Sequence, residues 1–227
     1  MLAERGLEMS SRLLNGLMST QQVAETFRQA FEEKRPINHV NLGDGEIIFL
    51  AFGRSAGFEK WPSPSDIEPY FKYVSDPTIR DAMLDGVMGS YIIGMPARLY
   101  TGNWSEAEAF LTTFSIPTQR ICDSYTGRLL HHTGLLYEIL KDKRVCLLGN
   151  HVGNLVPLLE KNHIEIVGQT EVNYFEDLPR VKDYLGQIDF DIAILSAGMP
   201  TLILSSWIRG TLGRCALDFG SAINFLN

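Results

Sequence analysis

The sequence predicts an α/β fold in which a parallel β-sheet is covered by helices on both faces. The second half of the chain alternates continuous apolar runs with helical segments, and these runs are residues 144–149, 163–168, 190–198 and 215–220. Strands that are apolar on both faces are typical of parallel sheets buried on both sides. The chain has 227 residues, of which 45% are hydrophobic, which is enough for one sizeable core.

The first half contributes more helices and strands. Ser19 is expected to begin the helix that contains residues 23–34, and Asp76 with Pro77 is expected to begin another. Gly and Pro are dense at residues 53–69, which predicts an exposed loop that can act as a lid or contact an acceptor. In full, we predict helices at 1–18, 20–34, 47–52, 76–88, 104–114, 127–141, around 179–185 and at 201–212, and further strands at 37–42, 91–94 and 120–124.

We interpret residues 1–227 as a single domain. It comprises N-terminal helices (1–36), a half that carries an acidic motif (37–143) and a Rossmann-like βα half (144–227).

Composition and charge exclude several classes of protein. A net charge of −7 disfavours nucleic-acid binding, which requires a basic stripe. No apolar run approaches the roughly 20 residues that a transmembrane helix needs. The N-terminus lacks the basic-then-apolar order of a signal peptide, so we expect a cytoplasmic protein. Cys122, Cys146 and Cys215 lie in apolar, strand-like runs, which predicts reduced core thiols.

An acidic motif, Gly43-Asp44-Gly45-Glu46, lies between a predicted strand and a predicted helix. Two carboxylates one residue apart repel each other, and burial would raise their pKa values unless a cation neutralised them. Mg²⁺ and Mn²⁺ prefer carboxylate oxygens, and the glycines allow a sharp turn close to a ligand. Asp44 and Glu46 are therefore candidate ligands of a cation that contacts a diphosphate. The alternative is a strand-to-helix turn in which Asp44 caps the helix and Glu46 complements its dipole.

Three further strand ends are candidate binding loops, because ligands of parallel sheets lie beyond the carboxyl ends of the strands. Arg128 can grip a phosphate with two N–H groups, although a structural salt bridge is the alternative. The loop after Gly149 lacks the G-x-G-x-x-G pattern, so another type of phosphate loop and a plain βα turn both stay open. The candidate residues are Gly149, Asn150 and His151; Ser196, Ala197 and Gly198; and Tyr125, Thr126 and Arg128.

Taken together, these motifs resemble those of the GT-D-fold glycosyltransferases. The resemblance is carried by the Gly43–Glu46 motif, the polar strand end at residues 124–126 and the closing Ala-x-Asp-x-Gly segment at residues 216–220. It implies a GT-D-type fold and a catalytic role for Asp44 and Glu46, which would contact Mn²⁺ (or Mg²⁺) and the donor diphosphate. It also implies sugar transfer from a nucleotide-sugar donor, typically a UDP-sugar, to a glycan or glycoconjugate acceptor.

Two positions depart from the family pattern. Asn41 stands where the family often has arginine, and Ser221 stands where it often has histidine. We nevertheless expect substrate contacts from Asn41, Gly43 and Gly45. The departures keep open a non-catalytic partner subunit of glycan assembly. A nucleotide-dependent Rossmann enzyme, such as a methyltransferase or dehydrogenase, is a further alternative, against which the missing glycine pattern counts. The N-terminal helix offers a surface for a homodimer.

Overall fold

The computed structural model describes residues 16–51, 70–96 and 104–226, with the side chains of Asp44, of residues 104–108 and of Phe225 left out. The predicted N-terminal helix (1–18) and the predicted loop at 53–69 therefore lie almost wholly outside the described residues.

The described residues contain one seven-stranded sheet in which every pair of neighbouring strands is parallel. The strand order is β3-β2-β1-β7-β6-β4-β5, so the first strand pairs with the last. All carboxyl ends therefore lie along one edge, where ligands of such sheets bind. The strands are β1 (Asn38–Asn41), β2 (Ile92–Met95), β3 (Ile121–Asp123), β4 (Arg144–Gly149), β5 (Glu165–Thr170), β6 (Ile192–Ser196) and β7 (Cys215–Asp218).

The helices begin where local capping chemistry allows. Ser19 accepts a hydrogen bond from the Gln22 amide at 3.2 Å, and the Gln22 side chain accepts one from the Ser19 amide at 2.8 Å. Asp76 caps the helix that starts at Pro77. The α-helices are α1 (Thr20–Glu32), α2 (Asp44–Ala51), α3 (Pro77–Met88), α4 (Trp104–Thr113), α5 (Thr126–His132), α6 (Leu135–Leu140), α7 (Val156–Lys161), α8 (Leu178–Leu185) and α9 (Pro200–Trp207). Short 3₁₀ segments cover Val152–Leu155, Phe175–Asp177 and Gly220–Phe225, and a π-helical turn covers Ile208–Leu212.

Several predicted elements differ from the structure at their ends. The helix predicted at 47–52 is α2 and begins at Asp44, and the strand predicted at 190–198 is β6 and covers only Ile192–Ser196. The helix predicted at 127–141 is two helices, because Gly134 adopts φ 78° after α5 and ends it. The strand predicted at 163–168 is β5, which starts later because His163 has φ 56°. The helix predicted at 201–212 leaves α-geometry after Trp207.

The sheet divides the core into two sides. Along β4, Val145 and Leu147 pack with the cluster that contains α1, whereas Cys146 and Leu148 pack with the cluster that contains α8. This alternation explains why the strands are apolar on both faces. All three cysteines are buried and free, as predicted. Among the described helices, none has the length and apolar character needed to cross a membrane.

Helices α3 and α9 approach each other closely at Gly86. A Cβ on Gly86 would lie 2.4 Å from the Leu202 carbonyl oxygen. Although alanine is the better helix former by about 1 kcal/mol, we expect Gly86→Ala to lower the free energy of unfolding by about 1–3 kcal/mol because the helices must separate. Gly210→Ala is the control, since a Cβ there meets nothing within 4 Å. Equal urea midpoints for the two variants would contradict this packing.

Candidate functional site

A cavity of about 310 Å³ opens at the carboxyl edge of the sheet, over the ends of β1 and β7. Six of the residues predicted from the sequence line it: Asn41, Gly43, Glu46, Tyr125, Arg128 and Gly198. They come from the carboxyl ends of three different strands, β1, β3 and β6, so the fold brings distant parts of the chain together there. The volume is at the lower end of the range for small-molecule sites.

The acidic motif forms the turn between β1 and α2. The Gly43 carbonyl accepts a hydrogen bond from the Ile47 amide at 3.1 Å, so Gly43 occupies the cap position and Asp44 is the first helical residue. The alternative in which Asp44 caps the helix is therefore wrong in its register. A Cβ on Gly43 would lie 2.9 Å from Glu46 Oε2, so glycine allows the Glu46 carboxylate to fold back over the turn.

Asp218, at the end of β7, joins the last strand to the first. Its Oδ2 accepts a hydrogen bond from the Asn41 amide at 2.9 Å, and its Oδ1 accepts one from the Gly220 amide at 2.8 Å. The carboxyl group is buried, and burial raises its pKa to about 7 against the pull of these two N–H groups. The charge of Glu46 raises it further, so two acidic groups face the same cavity.

The Asn41 side chain lies between β2 and the loop after β7. Its Nδ2 donates to the Asp218 carbonyl at 3.2 Å, whereas its Oδ1 is buried without a hydrogen-bond partner among the described residues. A Cβ on Gly94 would fall 2.3 Å from that oxygen, so β2 needs glycine at this position. A buried acceptor without a donor costs about 1–3 kcal/mol. Asn41 Oδ1 is thus an oxygen suited to a ligand.

The buried side chain of His39, on β1, forms a hydrogen bond with the carboxyl end of β7. Its Nδ1 must carry the proton, because it lies 3.1 Å from the Asp218 carbonyl, which can only accept. Cys122 Sγ lies 3.4 Å from Nε2 and donates to it. Burial lowers the pKa of His39 to about 4, so the ring is neutral at pH 7. His39 was not among the site residues predicted from the sequence, although histidine is an unusual residue inside an apolar strand.

Three predicted binding residues lie at the carboxyl end of β4 or directly after it, and none of them lines the cavity. Gly149 has φ 132°, and a Cβ there would lie 2.0 Å from the Ser196 carbonyl oxygen, so glycine serves close packing of β4 against β6. Asn150 and His151 are exposed. The structure therefore favours the plain βα turn for this loop.

Four other predicted residues lie near the cavity without lining it. The Thr126 hydroxyl is buried and donates to the Asp123 carbonyl at 2.6 Å. The Ser196 hydroxyl donates to the Gly220 carbonyl at 2.9 Å, so it supports a residue that does line the cavity. Ala197 is buried, and Gly45 lies within the first turn of α2.

The cavity also contains residues that were not predicted as binding residues. Asp218 and Gly220 belong to the closing segment, whose Ala-x-Asp-x-Gly pattern was the signal that could have found them, and Ser221 follows that segment directly. Ser124 belongs to the polar strand end at residues 124–126, whereas nothing in the local sequence marks Pro96, Phe219 or Ala222. The full set is Pro96, Ser124, Asp218, Phe219, Gly220, Ser221 and Ala222.

The oxygen atoms around the cavity have the chemistry of ligands for a hard divalent cation. They are the Glu46 carboxylate, the Asp218 carboxyl group and the unpaired Asn41 Oδ1. The described side chains contain no group of three His, Cys, Asp or Glu residues placed to hold a metal, and the Asp44 side chain is not among them. A cation here would therefore need oxygen atoms from substrate and water as well.

The raised pKa of Asp218 predicts a pH dependence of stability. The folded state holds the proton up to about pH 7, whereas the unfolded state releases it near 3.8. Stability from this group is thus fully present below pH 3.8 and is lost as the pH rises towards 7. Relative to Asp218→Asn, we expect the wild type to lose up to about 4 kcal/mol in free energy of unfolding between pH 4 and 7. Urea unfolding in EDTA measures this difference, and parallel pH profiles would contradict it.

Comparison with known proteins agrees with the observed fold. A family model described as a GT-D fold-like domain matches residues 18–226. No curated protein and no solved structure matches the chain significantly. The family match spans the acidic turn, all seven strands and the closing segment. It confirms the resemblance and the α/β, Rossmann-like fold class, and the chain therefore belongs to the GT-D-like family.

Proposed function

We propose that the protein is a glycosyltransferase that moves a sugar from a nucleotide-diphosphate donor, a UDP-sugar by preference, to a hydroxyl of a glycan or glycoconjugate. The family suggests glycosyltransferase chemistry. The observation that carries the proposal is the cavity that Glu46, Asp218, Asn41 and Arg128 line together, with Asn41 Oδ1 buried and without a partner among the described residues. Such a site combines oxygen ligands for a cation with a guanidinium for phosphate.

The charges in the cavity decide how a donor would be held. Glu46 and Asp218 would repel a diphosphate unless a cation lay between them and the phosphates. We assign Asp44 and Glu46 as the residues that hold Mn²⁺ or Mg²⁺. When bound, the cation supplies stabilisation of the negative charge on the departing nucleotide.

The chain's own residues orient the donor. Arg128, on α5, donates through Nε to His132 at 3.2 Å, a contact that helps to orient its guanidinium at the cavity wall. It can donate two parallel hydrogen bonds to a phosphate. Ser124, Tyr125 and Ser221 also line the cavity, and a hydroxyl group can hydrogen-bond to a sugar hydroxyl.

A non-catalytic member of the family is the second candidate. The described side chains hold no three-residue metal group, and Asn41 and Ser221 stand where the resemblance expects arginine and histidine. This candidate predicts that no nucleotide is released from any donor in the presence of Mn²⁺. A dinucleotide or SAM site gains no support, because the described loop after β4 is exposed and lines no part of the cavity.

The Glu46→Gln variant tests the proposal, because it removes one charge at constant size. A thermal-shift screen with UDP-, GDP-, dTDP- and CMP-sugars should give a rise in Tm with one nucleotide that depends on Mn²⁺. We expect Glu46→Gln to abolish this rise and to lower nucleotide release by at least about 100-fold, the cost of losing one electrostatic contact in such a site.

Glu160→Gln is the matched control, since Glu160 is an exposed acid at the end of α7. It should behave as the wild type, and both variants should keep the wild-type circular dichroism spectrum. Unchanged nucleotide release by Glu46→Gln would contradict the catalytic assignment. A rise in Tm with SAM or NAD in the absence of metal would contradict the transferase proposal as a whole.

A further inference from the structure

A second cavity, of about 420 Å³, lies at the opposite edge of the sheet, where the strands begin. It lies between the residues that precede β1, β4, β6 and β7, which the strand order places side by side. The cavity is therefore separated from the candidate donor site by the length of the strands. Nothing in the proposed transfer reaction uses it.

The lining of this cavity is cationic in a chain whose net charge is −7. Four cations, Lys34, Arg35, Lys143 and Arg214, face two carboxylates, Asp142 and Asp191, which leaves a surplus of two positive charges. One of those carboxylates is already paired, because Asp191 Oδ1 accepts from Arg144 Nη2 at 3.0 Å outside the lining. Outside the lining, Arg144 adds one cation to this ion-pair network, whereas Glu33 and Asp189 add two carboxylates. The network as a whole therefore keeps a surplus of one positive charge.

The four cations differ in what they already bind. Arg35 pairs with Glu33 at 3.0 Å and Arg214 pairs with Asp189 at 2.8 Å. Lys34 and Lys143 form no ion pair within the part of the chain that the structure describes. Two ammonium groups are therefore available to an anionic ligand at the wall of one cavity.

We propose that this cavity binds a phosphate monoester. A phosphate monoester carries nearly two negative charges at pH 7, which the ammonium groups of Lys34 and Lys143 can balance, and its three oxygens can accept from lysine and arginine together. Phe31 and Pro36 form an apolar wall of the same cavity, and Lys143 Nζ lies 5.1 Å from the centre of the Phe31 ring. The organic part of the ester can pack against that wall while the phosphate contacts the lysines.

The experiment uses ¹⁵N-labelled full-length protein in EDTA, titrated with phenyl phosphate and, separately, with inorganic phosphate. We expect saturable amide shift changes centred on Lys34, Lys143 and Gly213, and tighter binding of phenyl phosphate than of inorganic phosphate. Lys34→Gln/Lys143→Gln should weaken phenyl phosphate binding at least about tenfold. The control variant, Lys161→Gln/Lys182→Gln, removes two lysines that lie elsewhere and should bind as the wild type.

A vesicle arm separates a soluble ester from a lipid headgroup. Sedimentation with phosphatidic acid vesicles that is lost in Lys34→Gln/Lys143→Gln, without phenyl phosphate binding, would identify the monoester as a headgroup. Three results would overturn the proposal: no saturable change with any probe, changes centred on Gly43 and Gly220, or equal affinity in the wild type and the double variant. None of them bears on the donor site, which is tested with metal and nucleotide sugar.

Discussion

The hydrogen bonds of Asp218 are the constraint on which the candidate site depends. They join the carboxyl end of the last strand to that of the first, through the Asn41 and Gly220 amides. The Asp218 carbonyl is held in turn by Asn41 Nδ2 and His39 Nδ1. Because Glu46 follows the first strand and Ser221 follows the last, this contact sets which residues share the cavity. The acidic turn is a local feature, but the site is created by the pairing of two strands separated by most of the chain.

Two asparagines on β1, one away from the candidate site and one in it, differ in whether their buried side-chain atoms have hydrogen-bond partners. Asn38 is fully paired, since its Nδ2 donates to Ser90 and Ser205 at 3.2 Å each and its Oδ1 accepts from the Tyr91 amide at 3.0 Å. Asn41, three residues later, leaves Oδ1 without a partner among the described residues. Buried polar atoms are normally satisfied, and each exception calls for an explanation, such as a catalytic role or an absent water or ion. The contrast supports the cavity as a binding site rather than a packing defect.

Most of the fold could be predicted from the sequence, because apolar runs and caps are local signals. β4 is observed at the predicted residues, and the capping box at Ser19 begins α1 as expected. The site was harder to predict. No single segment of the sequence determines the order of the strands in the sheet. In the structure, β7 rather than β4 lies beside β1. The loop after Gly149 therefore looked like a binding loop, although it lies two strands further along the sheet, whereas the closing segment that contains Asp218 completes the cavity.

In the proposed reaction, the acidic turn holds a divalent cation against the diphosphate of a nucleotide donor. A crystal of the protein grown with Mn²⁺ and UDP, measured at the manganese absorption edge, tests it most directly. We expect one anomalous peak in the cavity between Glu46 and the UDP phosphates, at carboxylate-to-metal distances of about 2.0–2.3 Å. UDP bound in the cavity without a manganese peak, or a peak elsewhere on the protein, would contradict the account.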